Sequence, residues 1–277
     1  MSVEEHPLSL NLEQHHAFAE RVAWHIVTVV PRVWQFGRSL QGERLAEQPV
    51  GMGTACQWNG RKFILTAKHV IEEARPEQIE FCTRADGPVD WGVRSPNPLV
   101  VHPQKMQIES VFICKTEDLA CIVLKPDQSF GLLEFLELPS RLGPLPPAGG
   151  TLIHGCPVDQ NVPVNAIRQR EGGLLVGLAT RPRGCWAEIE ADPPTSLPSS
   201  FDPDRHFLLK YDPNEEGAQP HGFSGCGVWG HRKTDEPVWS ANPVLLGVEY
   251  KWHRPTNLMF SVRSEVIQGF LAEVLED

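Results

Sequence analysis

Three short segments of this chain carry residue types that do chemistry together. Phe63-Ile64-Leu65-Thr66-Ala67-Lys68-His69-Val70 sets a histidine at the end of an apolar run. Glu117-Asp118-Leu119-Ala120-Cys121-Ile122-Val123-Leu124 sets an aspartate at the start of another. His221-Gly222-Phe223-Ser224-Gly225-Cys226-Gly227-Val228-Trp229 sets a serine in a glycine-rich turn that leads into a third. A serine hydroxyl is a poor nucleophile at neutral pH and needs a base within hydrogen-bond reach. A histidine can be that base, and an aspartate can fix its tautomer and stabilise the imidazolium. Taken singly, each segment has a plainer reading: a turn serine, a surface or core histidine, a solvated loop carboxylate. In the order His, Asp, Ser they define one candidate nucleophilic triad of His69, Asp118 and Ser224. The backbone N–H groups of Gly222 and Ser224 are the candidate donors to the oxyanion such chemistry creates, since glycine permits a turn that points both inward.

The elements that must position these residues are mostly short strands. Residues 11–22 have helix-forming composition, with Phe18 and Val22 four apart on one face. The β-branched run 23–30 then reads as a strand ended by Pro31. Residues 53–58 and 62–67 form a predicted hairpin around Asn59-Gly60, a strong two-residue turn signal. One or two helical turns are expected over 69–74. Further strands are expected at 78–82, 99–102, 108–114 and 119–124. Residues 138–150 hold four prolines and three glycines and read as a linker. A second series of strands follows at 151–155, 174–179, 185–189, 207–211, 227–229, 244–250 and 258–262. From Ser264 onward, a cap-like serine and apolar positions at 266, 267, 270, 271, 274 and 275 predict a helix with one apolar face.

This plan predicts an all-β protein of two lobes: an N-terminal helical extension (1–22), a first β-barrel (23–140), a linker (141–150), a second β-barrel (151–263) and a C-terminal helix (264–277). His69 and Asp118 fall in the first lobe and Ser224 in the second, so the site belongs in the cleft between them.

Composition narrows the function classes. With 277 residues and 41% apolar content the chain can bury a large core. A formal charge of −10 and no dense Lys/Arg run argue against a nucleic-acid partner. No apolar stretch is long enough for a membrane-spanning helix, so no membrane partner is expected. The acidic start Met1-Ser2-Val3-Glu4-Glu5-His6 lacks the basic and apolar regions of a secretory signal, and a cytoplasmic location is expected. The seven cysteines form no CxxC pair; they read as buried reduced thiols, and no metal or organic cofactor is expected. His15-His16 reads as solvated surface.

The motifs resemble the trypsin-like (chymotrypsin-fold) serine peptidases, most closely the bacterial branch, from about Val50 to the C-terminus. Gly51-Met52-Gly53-Thr54 followed by Ile64-Leu65-Thr66-Ala67-Lys68-His69-Val70 is similar to the family's hairpin ending in the histidine. Asp118-Leu119-Ala120 is similar to its Asp-hydrophobic-Ala strand, and Thr151-Leu152-Ile153-His154-Gly155 to the opening of its second barrel. Gly222-Phe223-Ser224-Gly225 resembles its nucleophile turn, and Leu245-Leu246-Gly247-Val248 the strand after it. The resemblance implies two six-stranded antiparallel barrels. It also implies a serine endopeptidase acting on protein or peptide through an acyl-enzyme. A substrate pocket near Ala218 and Gln219, walled by Glu249 and Tyr250, follows from the same resemblance. A carboxylate at Glu249 in that pocket would select cleavage after basic residues. Phe223 replaces the acid that usually precedes the serine, so activation through a newly cut N-terminus is not expected.

Two other readings stay open. One is a binding or scaffold protein of the same fold with a silent triad, or a protease held inactive until a partner binds. The helix at 11–22 would then be a surface for a regulatory protein, and the Pro/Ser-rich loop 190–206 a second control element. The other is an α/β-hydrolase, disfavoured because Cys226 replaces the last glycine of Gly-x-Ser-x-Gly and no βαβ alternation surrounds Ser224.

Overall fold

The structure is a computed structural model that describes residues 11–31, 51–72, 74–82, 103–104, 106–131, 133–146, 150–155, 162–170, 173–179, 183–216, 219–232 and 241–276. The strand expected at 99–102 lies outside them. The element order is α1 (Leu12–Ala23), β1 (Ile26–Pro31), β2 (Gly51–Trp58), β3 (Arg61–Thr66), α2 (Lys68–Ile71), β4 (Ile79–Cys82), β5 (Pro103–Gln104), β6 (Ile108–Ile113), β7 (Ala120–Leu124) and β8 (Leu136–Leu138) in the first half. The second half holds β9 (Gly150–Gly155), β10 (Val162–Arg170), β11 (Gly173–Ala179), β12 (Arg183–Ile189), β13 (His206–Lys210), α3 (Pro213–Glu216), β14 (Gly227–His231), β15 (Pro243–His253), β16 (Leu258–Arg263) and α4 (Ser264–Leu275).

The second lobe is the closed six-stranded antiparallel barrel that was expected, with neighbours in the order β12-β13-β16-β15-β14-β9. The first lobe was expected to be a second closed barrel. It is an eight-stranded sheet in the order β5-β4-β1-β2-β3-β7-β6, with β8 added in parallel to β2, and no second closed barrel is seen among the described residues. The sheet still curls over one core, since Val27, Ile64, Phe81 and Ile122 from four strands share a single apolar cluster. The hairpin β10–β11 stands apart as a two-stranded sheet.

The central strands read as unbroken apolar runs because both of their faces are covered. Along β7, Ala120, Ile122 and Leu124 face the first lobe's own core. Cys121 and Val123 face a larger cluster that also holds Trp229, Val228 and Leu245 of the barrel. The two lobes therefore share a core. Asn59 and Gly60, at φ 49° and 80°, form the expected tight turn between β2 and β3.

Both terminal helices pack on this shared core. Asn11 caps α1 through a reciprocal box with Gln14. Phe18, Ala19 and Val22 are buried against the second barrel, although α1 leads directly into the first lobe. His15, expected as solvated surface, stacks on Trp186 with ring centroids 4.4 Å apart, while His16 is exposed. At α4, Ser264 is the first helical residue rather than the cap. Its hydroxyl donates to Gly143 O at 2.7 Å, tying the helix to the inter-lobe segment. That segment also runs along β15 through Gly143 N to Leu245 O and Leu245 N to Arg141 O. Among the described residues no helix is long and apolar enough to cross a membrane.

Candidate active site

Pairing of β3 with β7 brings His69 and Asp118 together. Thr66 lies opposite Ala120, so the residues just past β3 and just before β7 meet at one end of the sheet. There the Asp118 carboxylate accepts two bonds from one residue: His69 N–H to Oδ1 at 2.9 Å and His69 Nδ1 to Oδ2 at 2.7 Å. The pair sits at the surface, with His69 44% and Asp118 28% exposed. Burial alone would raise the Asp118 pKa, but the bonds from His69 and the backbone of Lys68 hold it below the ordinary carboxylate value. A carboxylate on Nδ1 calls for the Nδ1–H tautomer, which leaves Nε2 as a lone pair free to accept a proton.

Ser224 enters from the barrel across the seam. Its carbonyl accepts the amide of Met52 in β2 at 2.7 Å. Gly225, at φ +88°, lies so close to the first lobe that an added Cβ would come within 2.1 Å of Met52 O and 3.0 Å of Ala67 N. The turn is thus seated two residues before His69. Gly222, at φ +101°, opens the turn in a region that L side chains rarely adopt. Within the turn, the amides of Phe223, Gly225 and Cys226 donate to Pro220 O, Glu249 O and Phe223 O. The amides of Gly222 and Ser224, the proposed oxyanion donors, donate to no described residue. The Ser224 hydroxyl makes no hydrogen bond to His69 among the described residues; in many enzymes that bond tightens only with substrate bound.

The substrate pocket was expected at Ala218, Gln219, Glu249 and Tyr250. Ala218 lies outside the described residues, and Gln219 is exposed ahead of the turn. Glu249 is 2% exposed. Its amide donates to Cys226 O and its carbonyl accepts from Gly225, so its backbone braces the serine turn. Burial pushes its carboxyl up to about 8, and the Asp118 charge adds to the rise. A carboxyl this enclosed is no wall for a substrate cation, and the strand register turns it inward. Tyr250 is the extra residue at an irregularity in β15 between Glu249 and Lys251. It is half-buried, its ring lies 5.4 Å from that of His206, and burial raises its hydroxyl pKa, with Glu117, Asp118 and Glu249 adding to the effect.

A buried ion pair beside the site went unnoticed in the sequence. Glu117 bonds Arg205 and His206 at the start of β13; His206 is 89 residues away, beyond the reach of any local pattern. The only sequence signal was an acid directly preceding Asp118.

The five buried cysteines among the described residues are all free thiols. No group of three or more His, Cys, Asp or Glu among the described residues is placed to hold a metal ion. No protein-family model and no curated protein matches this chain. The barrel and the antiparallel sheet are compatible with a chymotrypsin-like fold.

Proposed function

We propose that this chain is a serine endopeptidase of the trypsin-like type, cleaving peptide bonds through Ser224, His69 and Asp118. The observation that carries the reading is the two-point bond of Asp118 to His69, set beside a serine turn whose Gly222 and Ser224 amides donate to none of the described residues. Asp118 orients the ring, His69 Nε2 takes the Ser224 proton, and Ser224 Oγ attacks the scissile carbonyl. The Gly222 and Ser224 amides then stabilise the oxyanion; one such donor contributes roughly 10²–10³-fold. His69 returns the proton to the leaving amine, and water releases the acyl group by the same path. Beyond Glu249, the edge of β15 facing the turn carries no partner strand among the described residues, which suits docking of an extended peptide. With Glu249 enclosed, no preference for basic residues is included in the proposal.

The test is labelling by a fluorophosphonate probe. Wild type should be modified covalently, and Ser224→Ala should not. Equal labelling of both, or hydrolysis that survives Ser224→Ala, removes Ser224 from the mechanism.

A second reading is supported by the missing Ser224–His69 hydrogen bond: a binding protein of this architecture, or a protease switched on by a partner. Under it, freshly purified protein resists the probe. The partner form gains labelling when the partner is added, and the silent form never does.

A further inference from the structure

Glu117 precedes Asp118 in the first lobe and reaches across the seam to the second. Its Oε1 accepts from Arg205 Nη2 at 2.6 Å and its Oε2 from His206 Nε2 at 2.6 Å. The neighbouring Thr116 Oγ1 accepts from the same Arg205 Nη2 at 2.8 Å. The Glu117 and His206 side chains are only 6% and 5% exposed. The receiving platform is itself fixed, because Arg263 on β16 donates its Nε to His206 O and its amide to Arg205 O.

The chemistry of the pair requires a carboxylate. His206 Nδ1 accepts the amide of Asp202 at 3.0 Å, so the ring proton sits on Nε2 and points at Glu117. A guanidinium only donates. Both partners are therefore donors, and both oxygens of position 117 must accept. Glutamine would turn an NH₂ group toward one of them.

We propose that Glu117 is a positioning residue: clamped to Arg205 and His206, it holds the adjoining Asp118, and through it His69, in the frame of the barrel that carries Ser224. The geometric need is general, since displacing catalytic groups by about 1 Å can cost about a hundred-fold in rate. The pair differs from an ordinary exposed bridge, which contributes little, in that Glu117 and His206 are enclosed and Glu117 adjoins a site residue. This role rests on the peptidase reading, but its main test needs no turnover.

The test is proton NMR of the His69 Nδ1–H, moved downfield and slowed in exchange by its bond to Asp118, in wild type and Glu117→Gln. The expected result is a shifted or exchange-broadened signal in a variant that still unfolds cooperatively. For an ester substrate, kcat should fall roughly ten- to a hundred-fold with KM little changed. A folded Glu117→Gln protein with an unchanged His69 signal overturns the proposal. Should that variant fail to fold, Arg205→Met removes the more exposed partner, and the same two outcomes decide. A wild type that hydrolyses nothing and resists the probe, with or without a partner, would remove the peptidase reading, while the NMR comparison would still decide the clamp.

Discussion

Two carboxyls that neighbour each other at this site are driven in opposite directions by their surroundings. Asp118 gains His69 as a donor and is held below the ordinary value. Glu249 is enclosed, its Oε2 has no hydrogen-bond partner, and it is pushed up to about 8. At neutral pH the pair thus carries one negative charge, on the carboxyl that faces the histidine. The consequence for stability has a definite sign. The unfolded chain releases the Glu249 proton near its ordinary value of 4.5, while the folded protein keeps it up to about 8. Between those values the native state binds more protons, so stability falls as pH rises and levels off above the folded value. The full effect is on the order of 3–5 kcal/mol. Glu249→Gln removes this titration. Urea unfolding of both proteins from pH 5 to 9 should show the variant gaining on wild type with rising pH. A difference that is flat, or that shrinks, would mean the carboxyl ionises in the folded state as readily as in the unfolded one.

Glycines at positive φ separate two kinds of turn in the strand-and-turn framework. Gly60 closes the β2–β3 hairpin at φ +80°, and an added Cβ would meet nothing within 4 Å. Gly60→Ala should cost only the backbone term, about 1–2 kcal/mol, and leave probe labelling at wild-type rate. Gly225 combines φ +88° with backbone packed where a Cβ would stand, and Met52 O cannot give way without moving β2. Gly225→Ala should lose more stability than Gly60→Ala and also slow labelling of Ser224, compared at a temperature where both variants remain folded. Equal effects would mean that the serine turn is not seated on the first lobe. These turns also explain what could be read from the chain. Asn59-Gly60 and Gly222–Gly225 are local signals, and strands such as β7 and β15 announce themselves by apolar runs. The pairing of β3 with β7 that joins His69 to Asp118 could not be read from the chain, because register is a tertiary property. The nine-residue β10, carrying Arg168, Gln169 and Arg170, was missed for lack of such a run. Closure of the first lobe into a second barrel was expected from the resemblance; among the described residues it is a curled sheet, and edge-strand pairing is something no composition signal reports. The Glu117 clamp was invisible for the same reason as the strand register: its partners meet only in the folded chain.

At the scale of the molecule, the two lobes are not independent units joined by a linker. Phe18, Cys56 and Phe63 share one cluster with Trp229, Leu245 and Ile267, so elements from both lobes and both terminal helices desolvate the same surface. The strap α1 leads into β1 of the first lobe yet buries its apolar face on the barrel, with the Phe18 ring 5.9 Å from Trp186 and 5.7 Å from His231. Arg61 of β3 reaches the carbonyl of Leu275 at the far end of α4 at 3.4 Å, a link in the other direction. One cooperative unfolding transition follows, because exposing either face of the shared cluster strands the other. Phe18→Ala tests this from outside the active site. Truncating a fully enclosed Phe costs about 3–5 kcal/mol through lost transfer energy and the cavity left behind. Amide exchange is followed at Ile122 in the first lobe and Phe260 in the barrel, both deep in strand ladders. If the shared core makes one cooperative unit, the variant lowers the opening free energy of both amides by the same amount. A loss confined to Phe260, with Ile122 unaffected, would show that the barrel opens alone and that the seam holding His69 against the serine turn is no stronger than a contact between separate domains.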